Sequence, residues 1–322
     1  MQRFLRRPCR LPRAPICALI LLLACLALAP SPANAANAAN AATTLRVGGK
    51  NYTEQYLLAQ ITADYLRARG YGVDTRAGLG STLMRTAQEN GQLDIVWEYT
   101  GTAALVYLKI PDAVKLDAHA LYQRVRQADA RRGLVWLDAS RLNNTYAVGV
   151  PEQLARAWGI KTISQLVDRL RAEPDRRHIF AMDAEFANRP DGLRPLMAAY
   201  GIRFDRSQIK QMDLGLVYTA LHNGQVTLGL IFSTDGRVRG FDIAALEDDR
   251  HYFPAYNATP VVRRSVLDRN PALAAQLNAL SAALDNDTMQ ELNKQVDIDG
   301  RSVQDVAAAF LRTHALPRGE AP

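Results

Sequence analysis

From residue 45 onward the chain alternates short apolar runs with amphipathic stretches, and this alternation limits the folds open to it more than any other feature. Residues 45–48, 73–76, 93–98, 148–150, 179–182 and 227–232 read as short strands bounded by glycine or polar residues. After the first of them, Leu57, Ile61 and Tyr65, with Leu58 and Leu66 beside them, follow helical spacing; Thr53 is placed to cap that helix and Gly70 to stop it. Residues 163–170, 193–200 and 216–222 read as further helices. Strand followed by helix, repeated, predicts an α/β fold whose parallel sheets are covered by helices on both faces. The last third carries three helical stripes: Leu273, Leu277, Leu280 and Leu284; Met289, Leu292 and Val296; and Val303, Val306, Phe310 and Leu311. Thr288 with Glu291 predicts a capping box for the middle stripe, and a helical tail packed back on the first lobe is the simplest use of all three.

Ahead of this pattern stands a segment of another kind. Arg3, Arg6, Arg7, Arg10 and Arg13 precede an apolar run over residues 16–29, followed by Pro30, Pro32 and the small-residue triplet Ala33-Asn34-Ala35. That is the make-up of a secretory signal peptide over residues 1–35, cleaved after Ala35, its apolar run short of the roughly 18 to 20 residues that span a bilayer. It predicts export to the periplasm. Residues 36–44, rich in Ala, Asn and Thr, read as a flexible arm. Cys9, Cys17 and Cys25 all fall in the leader, so the chain beyond it has no cysteine for a disulfide, a metal or a nucleophile. Leu22-Leu23-Ala24-Cys25 loosely resembles a lipoprotein cleavage site and leaves lipidation of Cys25 as an alternative processing route. Without the five leader arginines, 34 Lys and Arg stand against 32 Asp and Glu, which gives no electrostatic case for nucleic acid. The remaining length, about 285 residues, suits two lobes better than one compact core.

The catalytic inventory is thin. His119, His178, His222, His251 and His314 are dispersed without ligand spacing, and no nucleophile elbow, phosphate loop or dinucleotide fingerprint follows a strand, so no metal and no cofactor is expected. Asp183, Glu185 and Asp191 form an acidic cluster that keeps open an exported enzyme using Asp183 or Glu185 as acid or base. Binding has better support. Gly48-Gly49-Lys50-Asn51-Tyr52-Thr53-Glu54-Gln55 lies at a strand–helix junction, where backbone N–H groups, the helix dipole and Lys50 favour a carboxylate. A second junction, Trp97-Glu98-Tyr99-Thr100-Gly101-Thr102, places Tyr99 and Thr102 at the crevice edge where open α/β folds hold ligands.

Those two junctions, with Asn143-Asn144-Thr145-Tyr146, Arg189-Pro190-Asp191-Gly192, Thr234-Asp235-Gly236 and Leu246-Glu247-Asp248-Asp249 followed by Phe253-Pro254, resemble in kind and order the osmoprotectant-binding proteins of ABC importers for glycine betaine, choline and carnitine. The resemblance runs from about Leu45 to Leu311. It implies a type II periplasmic-binding-protein fold, with mixed, mainly parallel sheets flanked by helices and a hinged cleft. Lobe one would comprise residues 45–142 and 240–322, and lobe two residues 143–239. It also implies a monomer that captures a quaternary ammonium ligand and passes it to an inner-membrane ABC permease with its ATPase subunits. Such a ligand offers no N–H donor and spreads its charge over a greasy surface, so aromatic faces suit it. Carried over by motif, the ammonium cage is Tyr99, Tyr146 and Tyr218, with Phe241 at or beside the family's fourth tyrosine; the carboxylate falls to Lys50, Thr102 and Arg189. Choline-restricted relatives carry an acidic residue at the place of Thr102. An amino acid or another zwitterion in the same fold remains the nearest alternative.

Overall fold

The computed structural model describes residues 44–175 and 177–314. The predicted signal peptide, its three cysteines, the cleavage site and all of the predicted arm except Thr44 lie outside them.

Ten strands of the described residues form two sheets of five. They are β1 (Leu45–Lys50), β2 (Val73–Leu79), β3 (Ile95–Tyr99), β4 (Leu134–Trp136), β5 (Tyr146–Pro151), β6 (Phe180–Met182), β7 (Ile209–Gln211), β8 (Leu228–Phe232), β9 (Ile243–Leu246) and β10 (Ala258–Arg263). The first sheet runs β2-β1-β3-β10-β4 and the second β7-β6-β8-β5-β9. β1 pairs in parallel with β2 and β3, as β6 does with β7 and β8. β10 is antiparallel to β3 and β4, and β5 to β8 and β9. In each sheet, then, the strand that has just crossed from the other lobe enters antiparallel beside a parallel trio. The sheets are mixed, with parallel and antiparallel pairings in equal number.

The two crossing segments lie side by side. Asn143 bridges Asn257, the backbone N–H of Tyr256 donates to Asn143 Oδ1 at 2.7 Å, and that of Ala258 donates to the Leu142 carbonyl at 2.9 Å. The first crossing falls at residues 137–145. The second falls after Leu246, because β9 pairs with β5 in the second sheet, and not between Arg239 and Gly240 as the motif-based division has it. β9 reads Ile-Ala-Ala-Leu, with one β-branched residue, and only its pairing makes it a strand. β10 escaped the sequence reading for another reason: Pro260 sits in its middle, which ordinarily argues against a strand, yet that residue faces Trp97 across the ladder.

Helices cover both sheets. Thr53–Arg67 buries Leu57, Leu58, Ile61, Tyr65 and Leu66 under β1 and β2, and the C-terminal helices Asn286–Asp297 and Val303–Thr313 pack against it from outside. Each such side chain removed from water contributes about 1.5–3 kcal/mol. Trp97 is fully buried and its indole N–H donates to Thr62 Oγ1 at 2.8 Å, fastening the helix to β3. The helix caps depart from expectation. Thr53 is not the cap; its hydroxyl donates at 2.7 Å to Asp297 of the C-terminal helix. Thr288 is not a cap either: Asp285 caps that helix by accepting the Thr288 N–H at 3.0 Å. An aspartate three residues upstream outcompetes Thr288 because the chain is extended there and helical one residue later. Among the described residues no helix is long and apolar enough to cross a membrane.

Candidate functional site

The carboxyl ends of β1, β3, β6 and β8 converge with the crossing segments on one cavity of about 480 Å³. In sheets of this kind the helices beyond the strand ends diverge and leave a crevice there. The first lobe contributes Lys50, Tyr52, Ser81, Tyr99 and Thr102; the second contributes Tyr146, Asp183, Glu185, Arg189, Asp213 and Phe232; the crossings add Asn144 and Tyr256.

The aromatic side chains form a continuous group across both lobes. Tyr52 of the first lobe and Phe232 of the second have ring centroids 5.1 Å apart, Phe232 and Tyr146 5.0 Å, and Tyr146 meets Tyr256 edge to face at 5.4 Å. Tyr99 stands at the end of β3, and Gln55 Nε2 donates to its hydroxyl at 3.0 Å. Gly101 is needed behind this wall, because a Cβ there would lie 2.6 Å from the Tyr256 ring.

The two cations are held by partners from their own lobes. Lys50 Nζ lies 2.6 Å from Glu98 Oε1, with both side chains almost wholly buried, and 4.9 Å from the centre of the Tyr99 ring. Glu98 also accepts the Tyr99 N–H at 2.8 Å. Arg189 makes a two-point contact with Asp191, at 2.8 and 2.6 Å, and lies 5.4 Å from the centre of the Tyr146 ring. Such planar, charge-assisted pairing is among the stronger hydrogen-bonding arrangements in proteins.

The acidic cluster is engaged as well. Asp183 caps the helix Ala184–Asn188 by accepting the Phe186 N–H at 3.0 Å, and burial pushes its carboxyl up. Glu185 reaches across the cavity mouth to the Ser81 N–H of the first lobe at 3.3 Å and lies 3.5 Å from Arg189. Burial pushes the Glu185 carboxyl up, but the charges of Lys50 and Arg189 and the bond from Ser81 outweigh it and hold it below the usual carboxylate range. Behind Tyr99 lies Glu54, wholly enclosed: burial pushes its carboxyl up, and donors from Thr234, Tyr99 and Asn144 pull it part of the way back.

Of the residues singled out in the sequence, Lys50, Tyr99, Thr102, Tyr146 and Arg189 line the cavity together. Tyr218 and Phe241 lie elsewhere. Tyr218 is fully buried behind β8, where its oxygen accepts the Phe232 N–H at 2.9 Å and Arg237 covers its ring at 4.3 Å. Phe241 stacks on His222 with centroids 4.8 Å apart. Tyr52, Phe232 and Tyr256 line the cavity without having been singled out. The first two occupy strand-end positions of the kind that drew attention to Tyr99, so position alone could have found them; for Tyr256, in a segment with no strand signal, nothing in the sequence could.

Residues 43–313 match the family described as the substrate binding domain of ABC-type glycine betaine transport systems. The chain is 52% identical over 277 residues to a glycine-betaine-binding protein of Pseudomonas aeruginosa, covering 85% of this chain and 88% of that one. It is 31% identical over 275 residues to the glycine betaine-binding protein YehZ of Escherichia coli, covering 83% and 90%. A crystal structure of a glycine betaine/carnitine/choline ABC transporter superimposes with a TM-score of 0.67 at 26% identity, covering 84% of this chain and 99% of that one. With the match spanning both sheets and every segment that lines the cavity, the chain belongs to the family of substrate-binding domains of ABC-type glycine betaine transport systems.

Proposed function

We propose that the cavity captures glycine betaine or a related quaternary ammonium osmolyte such as choline, carnitine or proline betaine, without turning it over. The monomeric protein delivers it from the periplasm to an inner-membrane ABC permease with its ATPase subunits. The observation that carries this reading is the group of aromatic rings drawn from both lobes around one cavity that also holds two cations. The trimethylammonium group meets Tyr99 and Tyr146, joined by Tyr52, Phe232 and Tyr256; a carboxylate turns to Lys50, Thr102 and Arg189. Tyr218 and Phe241 support the second lobe from behind and do not touch the ligand. Three or four cation–π contacts at about 0.5–2 kcal/mol each, with charge-assisted bonds at the carboxylate, reach the roughly 8 kcal/mol of micromolar binding.

Because Lys50 and Arg189 are already matched by Glu98 and Asp191, the rings carry more of the affinity than the carboxylate contacts do. Asp213, Asp183 and Glu185 add negative charge to the cavity wall, which favours choline, a cation without a carboxylate, as a second ligand. Isothermal titration of the leaderless protein with glycine betaine, choline, carnitine and proline betaine tests the reading. Micromolar binding of glycine betaine supports it, and the absence of heat with all four overturns it.

A further inference from the structure

The cavity wall ends at Tyr99, but the contacts that hold Tyr99 do not. Its hydroxyl donates to Glu54 Oε1 at 2.6 Å. The same oxygen accepts Asn144 Nδ2, from the first crossing segment, at 2.9 Å. The other oxygen, Oε2, accepts the hydroxyl of Thr234 at 2.6 Å, and Thr234 follows β8 in the second lobe. Glu54 is 2% exposed and Thr234 1%, and neither lines the cavity. One enclosed carboxylate thus accepts hydrogen bonds from the ligand-facing wall of the first lobe, from the hinge and from the second lobe. A carboxylate cut off from water is solvated only by its donors, so losing any one of them leaves it under-satisfied and makes its bonds to the others readjust.

We propose that Glu54 is a positioning residue that couples the ring of Tyr99 to the hinge and to the second lobe, so that the orientation of the ammonium wall and the relative placement of the lobes are set by one carboxylate. The coupling rests on the reading of Tyr99 as a wall of the osmolyte site. It has two structural consequences. With its proton committed to Glu54 and its oxygen accepting from Gln55, the Tyr99 hydroxyl is fixed, and the ring with it. A change at Thr234, which does not line the cavity, is therefore felt at Tyr99 through the shared carboxylate.

The test uses glycine betaine titrated calorimetrically into the wild type, Thr234→Val, Thr234→Ser, Tyr99→Phe and the Thr234→Val/Tyr99→Phe double variant, with thermal melts of each ligand-free protein. Thr234→Val is expected to raise Kd about tenfold, Thr234→Ser to restore the wild-type Kd, and the double variant to lose less than the product of the two single effects. A Thr234→Val Kd within about twofold of wild type, or single effects that multiply, overturns the proposal; a lowered melting temperature alone is what a merely structural threonine gives. Failure of the wild type to bind glycine betaine sinks the substrate reading instead. In that event spin labels at Ala68 and Glu173, introduced as cysteines, report the distance between lobes in the ligand-free protein. Thr234→Val is then expected to shift that distance distribution, and an unchanged distribution overturns the coupling.

Discussion

In the first lobe β1 runs out into Lys50 and Tyr52, whereas its counterpart in the second lobe, β6, runs out into Asp183 and Glu185. The same contrast holds one strand over, where β3 ends at Tyr99 and β8 at Phe232. Both sheets follow one topological plan, so the plan decides where a side chain enters the cavity and leaves its chemistry free. Each lobe nevertheless balances the cation it brings to the cavity internally, Lys50 with Glu98 and Arg189 with Asp191. The lobes can therefore part without stranding either cation, and the bonds that join them run through Glu54, Glu185, the crossing segments and the helix Asn286–Asp297, whose Asn293 donates to the Thr234 carbonyl at 3.0 Å and whose Asp297 lies 3.5 Å from Arg237. That division of labour suits a hinged trap.

The balance within each lobe breaks most visibly at Arg189. Arg189→Met leaves Asp191 buried without a counter-charge, with the Tyr256 hydroxyl at 3.1 Å as its remaining donor, and a loss of about 3–5 kcal/mol of unfolding free energy is expected in denaturant titrations. Lys50→Met should do the same to the first lobe through Glu98; a loss below about 1 kcal/mol in either variant would show that the pair is not what satisfies that lobe. Next come the rings. Tyr146→Ala in one lobe and Tyr99→Ala in the other should each raise the glycine betaine Kd tenfold or more, about 1.4 kcal/mol, and a one-sided effect would assign the ammonium to a single lobe. Tyr218→Phe, by contrast, removes the acceptor of the Phe232 N–H and the hydroxyl's bond to Asp235; about 1–2 kcal/mol of stability is expected to go with the Kd unmoved, and a changed Kd would return Tyr218 to the cage.

The smallest effect concerns pH. Glu185 is held below its ordinary value of 4.5, so its contribution is present above that value and is lost as pH falls through the lowered one. Melts recorded from about pH 6 down to pH 3 should show a steeper acid decline for wild type than for Glu185→Gln. Parallel curves would remove Glu185 from the contacts that join the lobes.

Most strand–helix boundaries were legible because burial imposes its periodicity locally: 228–232 in β8 and the stripe Leu57, Ile61 and Tyr65 need no distant partner to be seen. Two of the antiparallel strands, β9 and β10, were not. β9 is a strand because β5 lies beside it, and β10 because β3 and β4 do, in spite of Pro260. The site divides in the same way. Lys50, Tyr99, Thr102, Tyr146 and Arg189 stand in or beside ordered motifs, and they meet in the cavity. Tyr218 looks like one more tyrosine near a helix end, but which face of the helix Leu214–His222 is turned to the core is settled by packing against β8.

By itself, then, the sequence determined the alternation, the strand-end junctions and the residue types available there, since each follows from local periodicity and turn chemistry. Only the tertiary structure decided which rings share a cavity, where the second crossing falls, and that the carboxylate of Glu54 faces Tyr99, Asn144 and Thr234 at once. Those are facts of long-range contact. A chain read along its length shows which side chains can point into a crevice, but the pairing of strands far apart in sequence fixes which of them do.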